Sequence, residues 1–345
     1  MQRIIWFGLM TLVSGCSVAP TAVSPPQAGV EPVWPAPPLA PRIRYLSQIR
    51  APADPDRQVN LLKRITRRLF GADSASLVRP VASYSVAGKI YVADPGAQGF
   101  WIIDPDRGRF RLVQQAGKES LMSPVAITGG ARGDLYLADS ALGKVLRYDL
   151  EGKFLASLNS TRGQTSELKR PVALAFSQNL EQLYIADVAR HEIWITDPDG
   201  KRLGRFGGRG TKPGRFNFPT HLSLDDDDQL LVTDALNFRI QTFDSEGHFL
   251  SSFGHQGDGS GDLAAPKGIA VDHRGNVLVV DALFDAVQIF DSQGKFLLSF
   301  GSRGTGSGQF WLPGGIIVTP DNRILVTDTY NRRIQEFQII PDDGE

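Results

Sequence analysis

Ile90-Tyr91-Val92-Ala93-Asp94 is the first of six similar phrases, each with three apolar or aromatic residues, then Ala, Thr or Val, and then Asp. The other five are Leu135-Tyr136-Leu137-Ala138-Asp139, Leu183-Tyr184-Ile185-Ala186-Asp187, Leu230-Leu231-Val232-Thr233-Asp234, Val277-Leu278-Val279-Val280-Asp281 and Ile324-Leu325-Val326-Thr327-Asp328. Successive Asp residues of the phrases lie 45, 48, 47, 47 and 47 positions apart. A Pro precedes every phrase, and these residues are Pro80, Pro124, Pro171, Pro219, Pro266 and Pro313. The two markers together predict six copies of one structural unit.

Each unit contains four short runs with the composition of β-strands, separated by turns rich in Gly, Asp and Asn. The first three runs are almost continuously apolar, as expected for strands in a sheet that is covered on both faces. Six such sheets arranged around an axis form an all-β, six-bladed β-propeller. The second residue after each Pro is expected near the axis, and these residues are Ala82, Ala126, Ala173, His221, Gly268 and Gly315.

The repeats occupy residues 78–340, but the sixth unit has no fourth strand of its own before the short tail at 341–345. Residues 42–50 have the composition of a strand and belong to no unit. We therefore expect residues 42–50 to be the closing outer strand of the last blade, because pairing the two ends of the ring removes two exposed sheet edges.

Residues 54–71 are predicted to form a short amphipathic helix before blade one. Its apolar residues fall at helical spacing, and its basic residues occupy the opposite side. The apolar residues are Leu61, Leu62, Ile65 and Leu69, and the basic ones are Arg57, Lys63, Arg64, Arg67 and Arg68. Two interpretations stay open: the apolar side packs on the propeller, or the basic side contacts lipid headgroups or an acidic partner.

Residues 1–15 have the layout of a secretion signal, with Arg3 followed by an uncharged apolar run from Ile4 to Val13. The run Leu12-Val13-Ser14-Gly15-Cys16 resembles the bacterial lipobox, which implies cleavage before Cys16 and a lipid such as palmitate on its thiol. Residue Ser17, directly after Cys16, implies an outer-membrane anchor in the bacterial cell envelope, with the body expected to face the periplasm. Residues 16–41 are rich in Pro and almost uncharged, which predicts an extended tether.

Two of the later units carry longer phrases that resemble the NHL repeat. One runs from Phe253-Gly254-His255 to Pro266, and the other from Phe300-Gly301-Ser302 to Pro313. The segments Asp234-Ala235-Leu236-Asn237-Phe238-Arg239-Ile240-Gln241 and Asp328-Thr329-Tyr330-Asn331-Arg332-Arg333-Ile334-Gln335 resemble it as well. Together with the lipobox, the repeats resemble the bacterial six-bladed propeller lipoproteins. The resemblance implies the fold, whereas NHL propellers act as lyases, RNA binders and protein-binding scaffolds alike.

Charge and cysteine content exclude several functions. The 345 residues include 37 Lys and Arg and 37 Asp and Glu, so no overall charge attracts nucleic acid, and no nucleic-acid partner is predicted. A single Cys excludes a disulfide within the chain and a Cys-based zinc site.

Catalytic residues are not predicted, and neither is a metal or a cofactor. Propeller enzymes with similar repeats, the peptidyl-hydroxyglycine amidating lyases and the gluconolactonase-type hydrolases, imply His ligands on zinc, or Glu, Asn and Asp ligands on a calcium-like ion. Of the five His residues, only His221, and after it His191, are expected to approach the axis, which is too few for a three-histidine zinc site.

The Asp that ends each phrase invites two interpretations, a ring of metal ligands or a structural acceptor for backbone N–H groups. The second is favoured, with Asn237, Arg239, Asn331 and Arg333 as nearby partners. The run Asp225-Asp226-Asp227-Asp228 is likewise interpreted as a solvated turn in preference to a calcium site.

The sequence therefore favours a membrane-tethered envelope propeller that binds a protein or glycan partner. The binding surface would be the end of the ring where the Pro residues lie, and the contact candidates are His221, Lys267, Arg170, Arg209 and Arg215. The alternative is a metal-dependent lyase or hydrolase that uses the axial channel.

Overall fold

A computed structural model of the chain describes residues 31–50, 76–158 and 168–340. In this part of the chain six antiparallel sheets repeat in sequence order, and the innermost strands of neighbouring sheets contact one another. The predicted all-β, six-bladed β-propeller is confirmed. Each run of β-branched and aromatic residues forms one strand, and each Gly- or Asp-rich segment forms the turn that follows it.

Strands are numbered in chain order, and blades 1 to 3 each take four consecutive strands. Blade 1 consists of β3 (Ala82–Val86), β4 (Lys89–Asp94), β5 (Gly99–Asp104) and β6 (Arg109–Val113). A small hairpin of β7 (Gln115–Ala116) and β8 (Glu119–Ser120) leads to the next blade. Blade 2 consists of β9 (Pro124–Gly129), β10 (Leu135–Asp139), β11 (Lys144–Tyr148) and β12 (Phe154–Ser157). Blade 3 consists of β13 (Pro171–Ser177), β14 (Gln182–Asp187), β15 (Glu192–Thr196) and β16 (Arg202–Gly207).

Blades 4 to 6 follow the same plan until the ring closes. Blade 4 consists of β17 (Pro219–Leu224), β18 (Leu230–Asp234), β19 (Arg239–Phe243) and β20 (Phe249–Phe253), with a 3-10 helix at Ala235–Asn237. Blade 5 consists of β21 (Pro266–Val271), β22 (Val277–Asp281), β23 (Ala286–Phe290) and β24 (Phe296–Phe300). Blade 6 consists of β25 (Ile316–Val318), β26 (Arg323–Asp328), β27 (Arg333–Ile339), β2 (Ile43–Ile49) and β1 (Val33–Trp34).

The N-terminal part of the described chain supplies the outer strands of blade 6. Strand β2 pairs antiparallel with β27, in the place expected for residues 42–50, with Tyr45 opposite Phe337. The predicted tether at 16–41 differs in its described part, because Val33–Trp34 adds β1 as a fifth strand on β2. The Trp34 ring lies 5.8 Å from the rings of both Phe300 and Phe337, so apolar contacts hold this part of the segment on the propeller.

Several predictions fall on residues outside the described ranges. These are the signal at 1–15 with Cys16, the helix at 54–71 and the tail at 341–345. Within the described ranges no helix is long and apolar enough to cross a membrane.

The hydrophobic core lies between neighbouring sheets. In the cluster between blades 5 and 6, the side chains of Phe300, Phe310 and Phe337 are almost fully buried. Tyr45 of the closing strand belongs to the same cluster, and its ring meets Phe337 edge to face at 5.7 Å. Burial of these aromatic faces is the main term that holds the ring of blades together.

The Asp that ends each phrase is a structural acceptor, as the sequence analysis favoured. All six of these side chains are fully buried, and each accepts backbone N–H groups from the loop that enters the first strand of its own blade. In blade 6, Asp328 also accepts from Asn331 at 2.8 Å and from Arg333 at 2.7 Å. These carboxylates fix the entering loops, which form one face of the ring.

A Gln seven residues after the Asp fixes the same loops in blades 4 to 6. Gln241, Gln288 and Gln335 each accept a backbone N–H from the entering loop and donate to a backbone carbonyl of that loop. Blades 1 to 3 have Trp101, Leu146 and Trp194 at this position, so they lack that contact. In each of the later blades this Gln therefore adds two side-chain hydrogen bonds to the entering loop.

Glycine is required where the first strands of blades 5, 6 and 1 approach each other. A Cβ on Gly315 would lie 2.6 Å from the Val81 carbonyl oxygen, and one on Gly268 would lie 2.7 Å from the Gly314 carbonyl oxygen. Contacts this short between backbone segments cannot be relieved by a rotamer change. The glycines therefore allow three first strands to converge near the axis.

Replacing Gly315 with Ala is expected to lower the free energy of unfolding by about 1–3 kcal/mol, because the added methyl group forces blades 6 and 1 apart. Gly204 in the outer strand β16 is the matched control, since its Cβ would meet only the Ile195 side chain at 3.7 Å. Gly204→Ala is expected to change stability by less than about 0.5 kcal/mol. Urea unfolding measures both variants, and equal effects would contradict the role assigned to Gly315.

Candidate functional site

The first strands of all six blades enclose an axial cavity of about 410 Å³. We call the end of the ring where these strands begin the Pro-end face, and the opposite end the turn face. Of the residues predicted near the axis, five line the cavity: Ala82, Ala126, Ala173, His221 and Gly315. Small side chains at these positions leave His221 as the only large polar group among them.

His221 lies in β17, opposite Thr233, among the residues that line the cavity. Burial of the imidazole, and the positive charge of nearby Lys267, lower its pKa to about 3. The Nδ1 atom is buried and has no hydrogen-bond partner among the described residues. The residue as a whole keeps some exposure to the cavity. His221 therefore stays neutral at physiological pH and adds no charge to the site.

Acid is expected to destabilise the protein partly through His221. The unfolded chain takes up a proton on this residue below a pKa of about 6.5, whereas the folded chain does so only near pH 3. The contribution of the neutral imidazole to the free energy of unfolding is thus complete above pH 6.5 and declines as the pH falls toward 3. In His221→Ala the urea midpoint should fall less between pH 7 and pH 4 than in the wild type. The exposed His273→Ala is the control, and an unchanged pH dependence in His221→Ala would contradict the assignment.

Lys267 lies on the Pro-end face, one residue after Pro266 in β21. Its backbone oxygen accepts the Thr233 hydroxyl at 2.9 Å, which fixes the residue against blade 4. The side chain is exposed, but the surrounding protein partly desolvates its ammonium, and this effect together with Arg79 lowers the pKa of Lys267. The sequence analysis did not single out Arg79, although it precedes Pro80 as Arg170 precedes Pro171. This shared position directly before the Pro is the sequence feature from which Arg79 could have been predicted.

The other predicted contact residues lie on the same face but at different places. Arg170 is exposed where the chain enters blade 3, and its backbone N–H donates to Asp187. Arg209 and Arg215 are exposed on the loop that enters blade 4, where the Arg215 guanidinium donates to the Gly207 carbonyl oxygen. The structure thus brings Lys267 close to His221, whereas the three arginines lie on the loops that enter blades 3 and 4.

His191 does not approach the axis, so that expectation was wrong. It lies in the loop between β14 and β15, where its Nδ1 accepts the backbone N–H of Phe218 at 3.1 Å. Its ring meets the Phe218 ring edge to face at 5.4 Å. The residue therefore joins blade 3 to the loop that enters blade 4, a non-local contact that its sequence position does not indicate.

The Pro-end face also exposes large apolar side chains that the sequence analysis missed. Seven residues in the loops of this face are between 41% and 65% exposed. They are Val78, Met122, Phe218, Leu236, Leu283, Trp311 and Tyr330. Exposed large apolar side chains on one face of a protein are typical of an interaction surface.

Metal-binding geometry in the described chain lies away from the cavity. The described residues that line the cavity include one His and no carboxylate or thiol, so they offer one of the three or four ligands that zinc requires. Asp244, Glu246 and His248 are the group of possible ligands found in the described ranges, and they lie in the exposed turn between β19 and β20. Asp225 and Asp227 sit in a turn where Asp225 accepts backbone N–H groups, as the turn interpretation predicts.

The sequence of one segment in blade 6 matches a family model. The family model described as NHL repeat matches residues 310–337, which carry Asp328, Asn331, Arg333 and Gln335. Residues 310–337 are an NHL repeat. The chain is therefore a six-bladed propeller with an NHL repeat in its last blade. None of the curated proteins matches the chain by sequence.

Solved structures share the architecture of this propeller. One is a catalytically inactive virginiamycin B lyase from Staphylococcus aureus with quinupristin, at 18% identity over 78% of this chain and 87% of that chain, with a TM-score of 0.54. A second is a protein of unknown function from Bacteroides thetaiotaomicron, at 16% identity over 77% of this chain and 70% of that chain, with a TM-score of 0.58. A third belongs to a nidogen/laminin complex, at 16% identity over 70% of this chain and 88% of that chain, with a TM-score of 0.54. At these identities the likeness concerns the fold alone.

Proposed function

We propose that this propeller is a binding scaffold of the bacterial cell envelope, held by a lipid on Cys16, and that a protein partner docks on its Pro-end face. The observation that carries the proposal is the concentration of exposed apolar side chains on that face. The lipobox-like sequence before Cys16 supports the anchor.

The turn face is built differently, which supports the choice of face. Six of its turns begin with an Asp whose Oδ1 accepts the backbone N–H four residues later. These residues are Asp149, Asp197, Asp225, Asp244, Asp272 and Asp291. Each of these carboxylates stabilises its own turn. The acidic residues of the turn face are therefore explained by their structural role, without a binding partner.

Site-specific photo-crosslinking in intact producing cells tests the proposal. A benzoylphenylalanine in place of Leu283 or Tyr330 is expected to give discrete adducts with a partner protein. Leu180, which is 41% exposed in the turn between β13 and β14, is the matched control on the turn face. Absence of adducts from Leu283 and Tyr330, or adducts from Leu180 alone, would contradict docking on the Pro-end face.

Metabolic labelling with palmitate tests the anchor separately. Label is expected in the wild-type protein and not in Cys16→Ser, which should also leave the membrane fraction. A labelled Cys16→Ser protein would contradict lipid attachment at this residue.

A further inference from the structure

Two cations flank an exposed aromatic pair on the Pro-end face, over blades 5, 6 and 1. We call Lys267, Trp311, Tyr330 and Arg79 the blade 5–6–1 patch. The aromatic residues are 41% and 54% exposed, and their ring centroids lie 5.6 Å apart at an interplanar angle of 40°. Arg79 and Lys267 are exposed on the loops on either side.

Hydrogen bonds between blades make the patch one continuous surface. The Thr329 hydroxyl donates to the Pro80 carbonyl oxygen at 2.8 Å, which places the next residue, Tyr330, beside Arg79 and Pro80. On the other side, the Gly268 N–H donates to the Gly314 carbonyl oxygen at 2.9 Å, beside Lys267. The backbone N–H of Tyr330 donates to the Trp311 carbonyl oxygen at 3.2 Å. These bonds between blades fix the backbone positions from which the four side chains project.

The charges of the patch are not neutralised within the described chain. Neither Arg79 nor Lys267 forms an ion pair with a carboxylate in the described ranges. Both side chains are positively charged. Their repulsion, together with desolvation, lowers the pKa of Lys267. His221, close to Lys267, is neutral and has an orphaned buried Nδ1. An anion between the two cations would relieve the repulsion and form charge-assisted hydrogen bonds.

We propose that the blade 5–6–1 patch binds a carboxylate of a partner polypeptide, with a neighbouring apolar side chain of that partner against Trp311 and Tyr330. This inference rests on the proposed function and names the chemistry of its partner. Two cations match one carboxylate, whereas a polyanion such as RNA requires a longer row of cations. The exposed aliphatic side chains of Leu283 and Val78 extend the surface beyond the aromatic pair, which favours a peptide with apolar residues.

A pair of small probes tests the carboxylate. N-acetyl-L-phenylalanine carries a carboxylate and an aromatic side chain, and N-acetyl-L-phenylalaninamide is the same molecule without the charge. Each is titrated into the full chain carrying ¹³C-labelled lysine, with NMR detection of the Lys267 side chain. We expect the acid to bind at least about tenfold more tightly than the amide and to raise the pKa of Lys267.

Charge-removing variants locate the site. Lys267→Gln and Arg79→Gln should each abolish the preference for the acid over the amide. In these variants probe binding is followed through the indole N–H signal of Trp311. Lys295→Gln, an exposed lysine in the turn between β23 and β24, should retain the preference. Equal binding of acid and amide by the wild type, or a preference that survives both patch substitutions, would overturn the inference.

The crosslinking experiment separates this inference from the proposed function. Adducts at Tyr330, with equal binding of the acid and the amide, would support the scaffold function and contradict carboxylate binding at the patch. A preference for the acid without any adducts would support the carboxylate site and contradict the scaffold function.

Vesicles with and without phosphatidylglycerol test whether the bound anion comes from a lipid. Binding to anionic vesicles that is lost in Lys267→Gln and Arg79→Gln, with equal binding of the two probes, would assign the patch to a membrane surface and overturn the inference.

Discussion

Replacing Arg333 with Met is expected to lower the free energy of unfolding by about 3–5 kcal/mol, because it leaves a buried carboxylate without its counter-charge. Only 1% of the Arg333 side chain is exposed, and its Nε donates to Asp328 at 2.7 Å. Its two Nη atoms donate to Gln48 of the closing strand and to the carbonyl oxygens of Thr305, Gly306 and Gln309. Methionine fills a similar volume, so the loss comes from polar contacts and not from a cavity.

Arg239 at the same position of blade 4 is the matched control. It donates to Asp234 at 2.9 Å, but 14% of its side chain is exposed, so water can reach part of the site after substitution. Arg239→Met should therefore cost less than Arg333→Met, and Arg332→Met, at an exposed neighbour, should cost less than about 0.5 kcal/mol. Urea unfolding measures all three variants. Equal losses in the two buried positions, or none in Arg333→Met, would contradict the argument.

The blades could be predicted from the sequence because their determinants are local and repeated. An Asp such as Asp328 and a Pro such as Pro313 recur once per unit, and each strand carries its own apolar pattern. The role of Asp328 as an acceptor followed from the same repeat, since Asn331 and Arg333 stand at fixed distances after it. Repetition supplies independent tests of one interpretation, which a single occurrence does not.

Strand β1 could not be predicted, because the contacts that hold it on the propeller are only partly local. Composition indicated an extended Pro-rich segment, and Val33–Trp34 is indeed extended. Its hydrogen-bonded partner β2 is close in sequence, but the Trp34 ring packs on Phe300, Phe337 and the Gly308 backbone, more than 260 residues away in the chain. Only the folded ring brings these groups to one place, so composition alone could not distinguish a free tether from a docked strand.

The site was predictable only in part for a similar reason. Lys267 and His221 stood out because the Pro residues mark the start of each first strand. Arg79, Trp311 and Tyr330 lie in three different loops, and the NHL repeat that contains Trp311 and Tyr330 does not include Arg79. Their proximity depends on glycines such as Gly315, which let blades 5, 6 and 1 converge. The chemistry of the patch is thus set by packing between blades.

Replacing Tyr45 with Ala is expected to lower the free energy of unfolding by about 3–5 kcal/mol, a loss comparable to other buried aromatic truncations. Tyr45 is 8% exposed, lies opposite Phe337 in the β2–β27 ladder and meets its ring edge to face. The truncation opens a cavity at the point where the two parts of blade 6 meet. Because this contact joins the ends of the ring, the transition should also become less cooperative.

Arg44, the preceding residue in β2, is the control for Tyr45. Substituting it leaves β2 in place and does not change the packing of the core. Its side chain is exposed, so Arg44→Ala should change the free energy of unfolding by less than about 0.5 kcal/mol. Chemical denaturation followed by near-UV circular dichroism compares the two variants, since Tyr45 and Phe337 lie in an aromatic cluster. If β2 paired in a register shifted by one residue, Arg44 would face the core and Tyr45 the solvent, and the order of the two losses would reverse. Similar small losses in both variants would mean that the ring is held closed by contacts other than those of β2.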